Sequence, residues 1–263
     1  MPTSPRVSDQ AAPTMPSGAS SHSVCSPAPA ALELDGVTLT YPDGAGTLTA
    51  LDQVCLRVGA GQMLALVGPS GSGKSSLLAV AATLVQPQHG VVSIAGSDAA
   101  QLSRRRRDRL RRDEVGMIFQ QPNLLPSLTA REQLILAEDM RGGSRRSAAA
   151  RADALLEEVG LTDAAGRRPH ELSGGMRQRV NIARALIGSP SVLLVDEPTA
   201  ALDHERSLTV VQLLARLTIE HQVATVMVTH DTEYVPSADA VATMRDGALS
   251  RPEPTDAGES SWN

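Results

Sequence analysis

Between the apolar run Met63–Val67 and a helical pattern near 75–84, the chain reads Gly68-Pro69-Ser70-Gly71-Ser72-Gly73-Lys74-Ser75, followed by Ser76. A buried run, a glycine-rich turn and a helix start, in that order, leave few folds open. The spacing is that of a phosphate-binding loop. Its glycines let backbone N–H groups turn inward around phosphate oxygens. The first turn of the following helix adds unpaired donors and a positive dipole end. In such a loop Lys74 reaches the β- and γ-phosphates and the Ser75 hydroxyl ligates Mg²⁺. Lys74 is also the only lysine of the chain; the other 23 of its 24 basic residues are arginines. A planar, forked guanidinium does not substitute for a compact ammonium at such a site.

Around this loop the hydrophobic pattern changes character. Leu32 and Leu34, then Val37, Leu39 and Tyr41, alternate with polar residues, with a phase slip at Asp35-Gly36 that predicts a bulge. Val54, Leu56 and Val58 continue the alternation, and the turn signals Asp43-Gly44 and Gly59–Gly61 predict antiparallel pairing. Met63–Val67, Val115–Phe119, Val192–Val195 and Val223–Val228 are instead short apolar runs without alternation, as expected for strands buried on both faces of a parallel sheet. Helical stretches are predicted near 75–84, 128–139, 146–159, 174–187 and 204–219. Alternating strands and helices imply an α/β fold. Residues 122–187 lack strand signals and read as an inserted helical subdomain.

Residues 1–31 hold 19 Ser, Pro or Ala and read as a disordered tail, as do residues 251–263, with Trp262 solvent-exposed. The remaining stretch, 32–250, is within single-domain size. A net charge of -5 argues against a protein that coats nucleic acid. No apolar run approaches the roughly 18 residues needed to cross a bilayer, and no secretory leader is apparent, so a soluble, cytosolic chain is expected. Cys25 and Cys55 match no metal spacing and read as two reduced thiols.

A second acidic element belongs with the loop. Val192-Leu193-Leu194-Val195 ends in Asp196-Glu197. Asp196 is placed to hold Mg²⁺, directly or through water, and Glu197 to polarise the attacking water as general base. The run Arg104-Arg105-Arg106-Arg107-Asp108-Arg109-Leu110-Arg111-Arg112 reads first as a solvated helix face. The alternative is binding of anionic lipid headgroups or nucleic acid.

Leu172-Ser173-Gly174-Gly175-Met176-Arg177-Gln178-Arg179 precedes Asp196-Glu197 and begins a helix. It resembles the signature of ABC-type ATPases, and from there the resemblance covers nearly all of 32–250, with motifs in the family's order. It implies a P-loop NTPase fold: a RecA-like mixed sheet with an antiparallel β subdomain and an inserted α-helical signature subdomain at about 122–187. The implied ligands are ATP and Mg²⁺. Tyr41 resembles the aromatic that stacks on adenine. Gln120 resembles the glutamine that senses Mg²⁺ and water and couples to a membrane partner, although Gln121 stands beside it. Asp203, in Ala201-Leu202-Asp203, resembles the family's D-loop aspartate. His230, in Val228-Thr229-His230-Asp231, resembles the switch histidine that contacts the γ-phosphate. In this family Ser173, Gly174 and Gly175 of one subunit would close on the nucleotide of another, so the resemblance implies a head-to-tail homodimer.

The stretch Phe119–Thr129 looks like the subfamily serving lipoprotein release, macrolide-type export and a cell-division complex. The implied partner is a separate transmembrane permease, which places the chain in the cytoplasm, peripheral on the inner face of the membrane. An importer ATPase is the alternative, and a soluble ABC protein of ribosomes or DNA a further one. One domain without sustained heptads argues against the latter, and no nucleic acid partner is expected. Met176 stands where the signature usually has glutamine, and Ala200 where serine is common.

Overall fold

The computed structural model describes residues 30–44, 46–200 and 202–255, all but the side chain of Arg145. In chain order the strands are β1 (Ala30–Asp43), β2 (Gly46–Gly59), β3 (Met63–Val67), β4 (His89–Ile94), β5 (Ser97–Asp98), β6 (Val115–Ile118), β7 (Val192–Asp196), β8 (Ala224–Val228), β9 (Ala240–Arg245), β10 (Ala248–Leu249) and β11 (Glu253–Pro254). The α-helices are α1 (Lys74–Ala81), α2 (Arg104–Glu114), α3 (Ala130–Arg141), α4 (Arg145–Glu158), α5 (Gly174–Leu186) and α6 (His204–Glu220).

Two sheets result. An antiparallel one runs β2-β1-β4-β5; a mixed one runs β10-β9-β3-β8-β7-β6, with β11 also on β9. In the mixed sheet β9, β3, β8, β7 and β6 are all parallel. The phase slip at Asp35-Gly36 is a bulge. Leu34 faces Leu56 and Val37 faces Val54, so β1 carries one more residue than β2 over that stretch, and Gly36 takes φ 58°.

The non-alternating runs are buried on both faces because two cores meet across the parallel sheet. Leu64, Leu66, Leu194 and Val226 pack toward α1 and the antiparallel sheet. Met63, Ala65, Leu193, Val195 and Met227 pack toward α3–α6. Local chemistry sets the helix ends. Thr129 and Glu132 form a capping box at the start of α3, which stops at Gly142 with φ 90°. Ser173 caps α5 and Asp203 caps α6, each accepting from a backbone N–H three residues on. α3 and α4 pack on each other and on α5, and α5 also packs on β6 and α6.

Some expectations need revision. β4 and β9 carried no sequence signal strong enough to be recognised: β9 is alanine-rich, though Ala240, Ala242 and Met244 are its buried face. Part of the tail expected from 251 is instead paired into the sheet. Glu253 and Pro254 pair with Val241 and Ala240, and the Thr255 N–H donates to the Asp239 carbonyl. Two paired residues are too few to leave a period in the sequence. At the other end, β1 already begins at Ala30, inside the expected N-terminal tail. Cys55 is a free thiol on β2. The rest of both tails, with Cys25 and Trp262, lies outside the described residues. On α2 Arg104, Arg105, Arg106 and Arg109 are exposed, whereas Arg107, Leu110 and Arg111 are partly covered, and Arg111 and Arg112 are paired with Asp108 and Asp113. Among the described residues no helix is long and apolar enough to cross a membrane.

Candidate active site

The strand order places four sequence positions in a row. Gly68–Lys74 follows β3, Thr229-His230 follows β8, Glu197 follows β7 and Phe119-Gln120 follows β6, all at the C-terminal edge of adjacent parallel strands. The Thr229 N–H donates to the Leu66 carbonyl (3.1 Å), and the Glu197 N–H donates to the Val228 carbonyl (3.1 Å). These bonds carry the sheet ladder one step past the strands and fix where His230 and Glu197 begin.

The loop needs glycine for steric reasons visible only in three dimensions. Gly68 has φ 148°, and a Cβ there would lie 2.1 Å from the Met244 carbonyl oxygen. Gly73 has φ 108°, and a Cβ there would lie 2.3 Å from the Ala50 carbonyl oxygen. The backbone is therefore pressed against β9 and β2 on one side and turned toward the cleft on the other. Lys74 is 8% exposed, and its Nζ donates to the carbonyls of Gly68 and Pro69, both at 2.7 Å. The ammonium is held across the loop.

An open cleft of about 700 Å³ gathers most of the predicted site. Its floor is Gly68, Ser70, Gly71, Gly73, Lys74, Ser75 and Ser76; its far wall is Asp196, Glu197 and His230; Tyr41 stands at its hairpin side. Pro69 and Ser72 belong to the loop but do not line the cleft. The Pro69 carbonyl binds Lys74 and the Ser72 N–H, and the Ser72 side chain is buried. Tyr41 pairs across the hairpin with Leu48, and both are exposed on the cleft side. Leu48, Thr49, Ala50, Asp246 and Gly247 also line the cleft and were not anticipated. The one available signal was Asp246-Gly247, a dipeptide of tight hairpins, here with φ 49° and 82°.

Electrostatics distinguish the two acids. Burial pushes the Asp196 carboxyl above its ordinary value, the neighbouring Glu197 adds to this, and Lys74 opposes it. Glu197 itself adopts φ 43°, a left-handed conformation uncommon for a non-glycine residue, and its Oε1 lies 3.3 Å from His230 Nδ1. The fit to Mg²⁺ follows from the donor types. The Ser75 hydroxyl and the half-buried Asp196 carboxylate line one cleft and are the hard oxygen ligands that ion takes.

Five predicted residues are elsewhere. Gln120, Ser173, Gly174, Gly175 and Asp203 do not line the cleft. Gln120 is exposed, on a segment tied to α5: Asn181 Nδ2 donates to the Phe119 carbonyl (3.1 Å) and Arg184 to the Pro122 carbonyl (2.8 Å). Ser173, at the start of the same helix, accepts from the Met176 N–H (3.3 Å). Gly174 lies against Leu202, beside Asp203. One helix thus carries Ser173 at one end and braces the Gln120 segment farther along.

The model of the ABC transporter family matches residues 51–200, over half of the chain. The chain belongs to the ABC transporter family. The lipoprotein-releasing system ATP-binding protein LolD 2 of Caulobacter vibrioides is 44% identical to it over 218 residues, covering 83% of this chain and 96% of that protein. The macrolide export ATP-binding/permease protein MacB of Rhodopseudomonas palustris is 39% identical, covering 83% of this chain and 33% of its own. Among solved structures, the dimeric ATP-binding cassette MJ0796 in a post-hydrolysis state, bound to ADP and Pi, matches with a TM-score of 0.75 at 36% identity, covering 85% of this chain and 98% of that one. Within this ABC family frame the unusual Met176 has a local reason: its side chain packs against the core beneath α5, while its N–H still meets Ser173. Nothing in the structure explains Ala200 in place of the usual serine.

Proposed function

We propose that this chain is the ATP-hydrolysing subunit that energises a separate transmembrane permease, in lipoprotein release or a related export of lipid-linked cargo. The observation that carries the reading is the convergence of Lys74, Glu197 and His230 on one cleft. The lipoprotein-releasing relative, matched over nearly its whole length, favours that cargo class over import.

In this reading Tyr41 and Leu48 receive the adenine, and the loop N–H groups with Lys74 hold the phosphate chain. Ser75 and Asp196 would hold Mg²⁺, which when bound supplies charge neutralisation at the β- and γ-phosphates; Gln120, outside the cleft in this structure, would have to approach it to sense the ion. Glu197 accepts a proton from the attacking water. His230, within reach of the Glu197 carboxylate, steadies it and meets the γ-phosphate. Ser173, Gly174, Gly175 and Asp203 act across a homodimer, which accounts for their position outside the cleft of their own subunit: a capped helix start is an anion site for the opposing γ-phosphate. The tie from α5 to the Gln120 segment would pass closure to the permease. The chain would then sit in the cytoplasm on the inner face of the membrane, with residues 32–250 as the ATPase domain.

Two expected results follow. Tyr41→Ala should raise KM for ATP by about three- to thirtyfold, the loss of one aromatic stack, with kcat within about twofold of wild type. A fall in kcat with KM unchanged would assign Tyr41 to something other than the base. Second, the single lysine allows a test of the intact chain. Reductive methylation can modify only Lys74 and the chain terminus, and Mg-ATP should suppress modification at Lys74. Equal labelling with and without nucleotide, by peptide mass spectrometry, would overturn the assignment.

A further inference from the structure

A second cavity, of about 170 Å³, opens at the C-terminal end of α1 and shares no lining residue with the nucleotide cleft. Val80, Val85, Pro87 and Val92 make its apolar wall, and Thr83, Gln86 and Arg107 bring polar side chains to it. Thr83 is 6% exposed, and its Oγ1 has no hydrogen-bond partner among the described residues. The same holds for Arg107 Nη1, which is buried although the residue as a whole keeps some exposure. The Thr83 backbone is satisfied: its N–H donates to the Val80 carbonyl, and its own carbonyl accepts from Arg111 Nη1 at 3.2 Å. Only the hydroxyl is left over. Thr83 also holds φ 55°, a costly conformation for a β-branched side chain.

Arg107 differs from its neighbours on α2. Arg104, Arg105, Arg106 and Arg109 are exposed, whereas Arg107 turns inward to the cavity. A guanidinium N–H and a hydroxyl, both desolvated and both unpaired, cost stability unless something pairs with them. Gln86 also lines the cavity, but neither group bonds to its side chain. The matching ligand has an anionic head that accepts from the guanidinium and the hydroxyl, and a tail that fills apolar space. The volume is close to that of an engineered cavity of roughly 150 Å³ that holds benzene, which limits the tail to about six carbon atoms.

We propose that this cavity is a binding site for a small monocarboxylate with a short apolar tail. The probe is hexanoate, titrated calorimetrically into the full chain, with acetate and 1-hexanol as companions. Hexanoate should bind saturably at one site per chain. Acetate, lacking the tail, should bind at least about a hundredfold more weakly, and 1-hexanol, lacking the charge, at least about tenfold more weakly. Thr83→Val and Arg107→Met keep size and backbone, and each should weaken hexanoate by about tenfold or more while leaving ATP hydrolysis unchanged. The wild-type comparison of the three probes needs no variant to fold. Absence of saturable hexanoate binding, equal binding of 1-hexanol, or full retention in both variants would overturn the proposal and leave the two polar groups to water.

Discussion

Glu197→Gln is expected to bind ATP and hydrolyse it at least about a hundredfold more slowly than wild type, the usual loss when a general base is removed. The substitution isolates one property. The φ of 43° and the bond from the Glu197 N–H to the Val228 carbonyl are backbone features that glutamine can keep. The side chain keeps its shape and its reach to His230, 3.3 Å away, but no longer accepts a proton. Binding and turnover should therefore separate. Nucleotide affinity stays within a few-fold, and single-turnover hydrolysis collapses. If Ser173 and its neighbours complete the site from a second copy, the trapped ATP state should also run as a dimer on size exclusion, at a nucleotide concentration where wild type returns to monomer. Turnover within about tenfold of wild type would remove Glu197 from the role of base.

Lys74→Ala should act earlier, on binding. Lys74 Nζ holds the Gly68 and Pro69 carbonyls at 2.7 Å each, and in the proposed reading it meets the β- and γ-phosphates. Truncation leaves two carbonyls without their charged donor, at a stability cost of about 1–3 kcal/mol, and removes the one ammonium of the cleft. ATP affinity should fall at least about tenfold and hydrolysis to background. Circular dichroism should show the fold retained, because the cores on either side of the sheet do not use this side chain. Lys74→Arg should not rescue turnover: a bulky fork does not fit a loop already pressed against Met244 and Ala50. Unchanged ATP hydrolysis in Lys74→Ala would undo the assignment of the loop.

Legibility in the sequence followed contiguity. The phosphate loop, the Asp196-Glu197 pair, the signature helix and the buried strands are each local patterns. Met63–Val67 spans the residues expected of it, and β6, β7 and β8 differ from expectation only at their ends. β9 was missed for a matching reason. Ala240, Ala242 and Met244 are small or weakly patterned, and their burial comes from lying beside β3, more than a hundred residues away in the chain. That one strand then explains much of the site. Pairing Leu66 with Ala242 and Val67 with Thr243 brings the Met244 carbonyl against Gly68 and sets the Asp246-Gly247 turn on the cleft rim.

The sequence by itself determined the chemistry: one ammonium, two acids, a histidine and a run of glycines, at spacings that suit phosphate. It determined the local frame too, since capping residues and apolar periods act over a few positions. Only the tertiary structure decided which of these groups meet. Strand order is a matter of long-range pairing, and it put β8 between β3 and β7, so that His230 and Glu197 face the same loop while Gln120 and Ser173 do not reach it. It also decided why Gly68 and Gly73 admit no side chain, because the carbonyls that would collide with one come from segments the local pattern does not know.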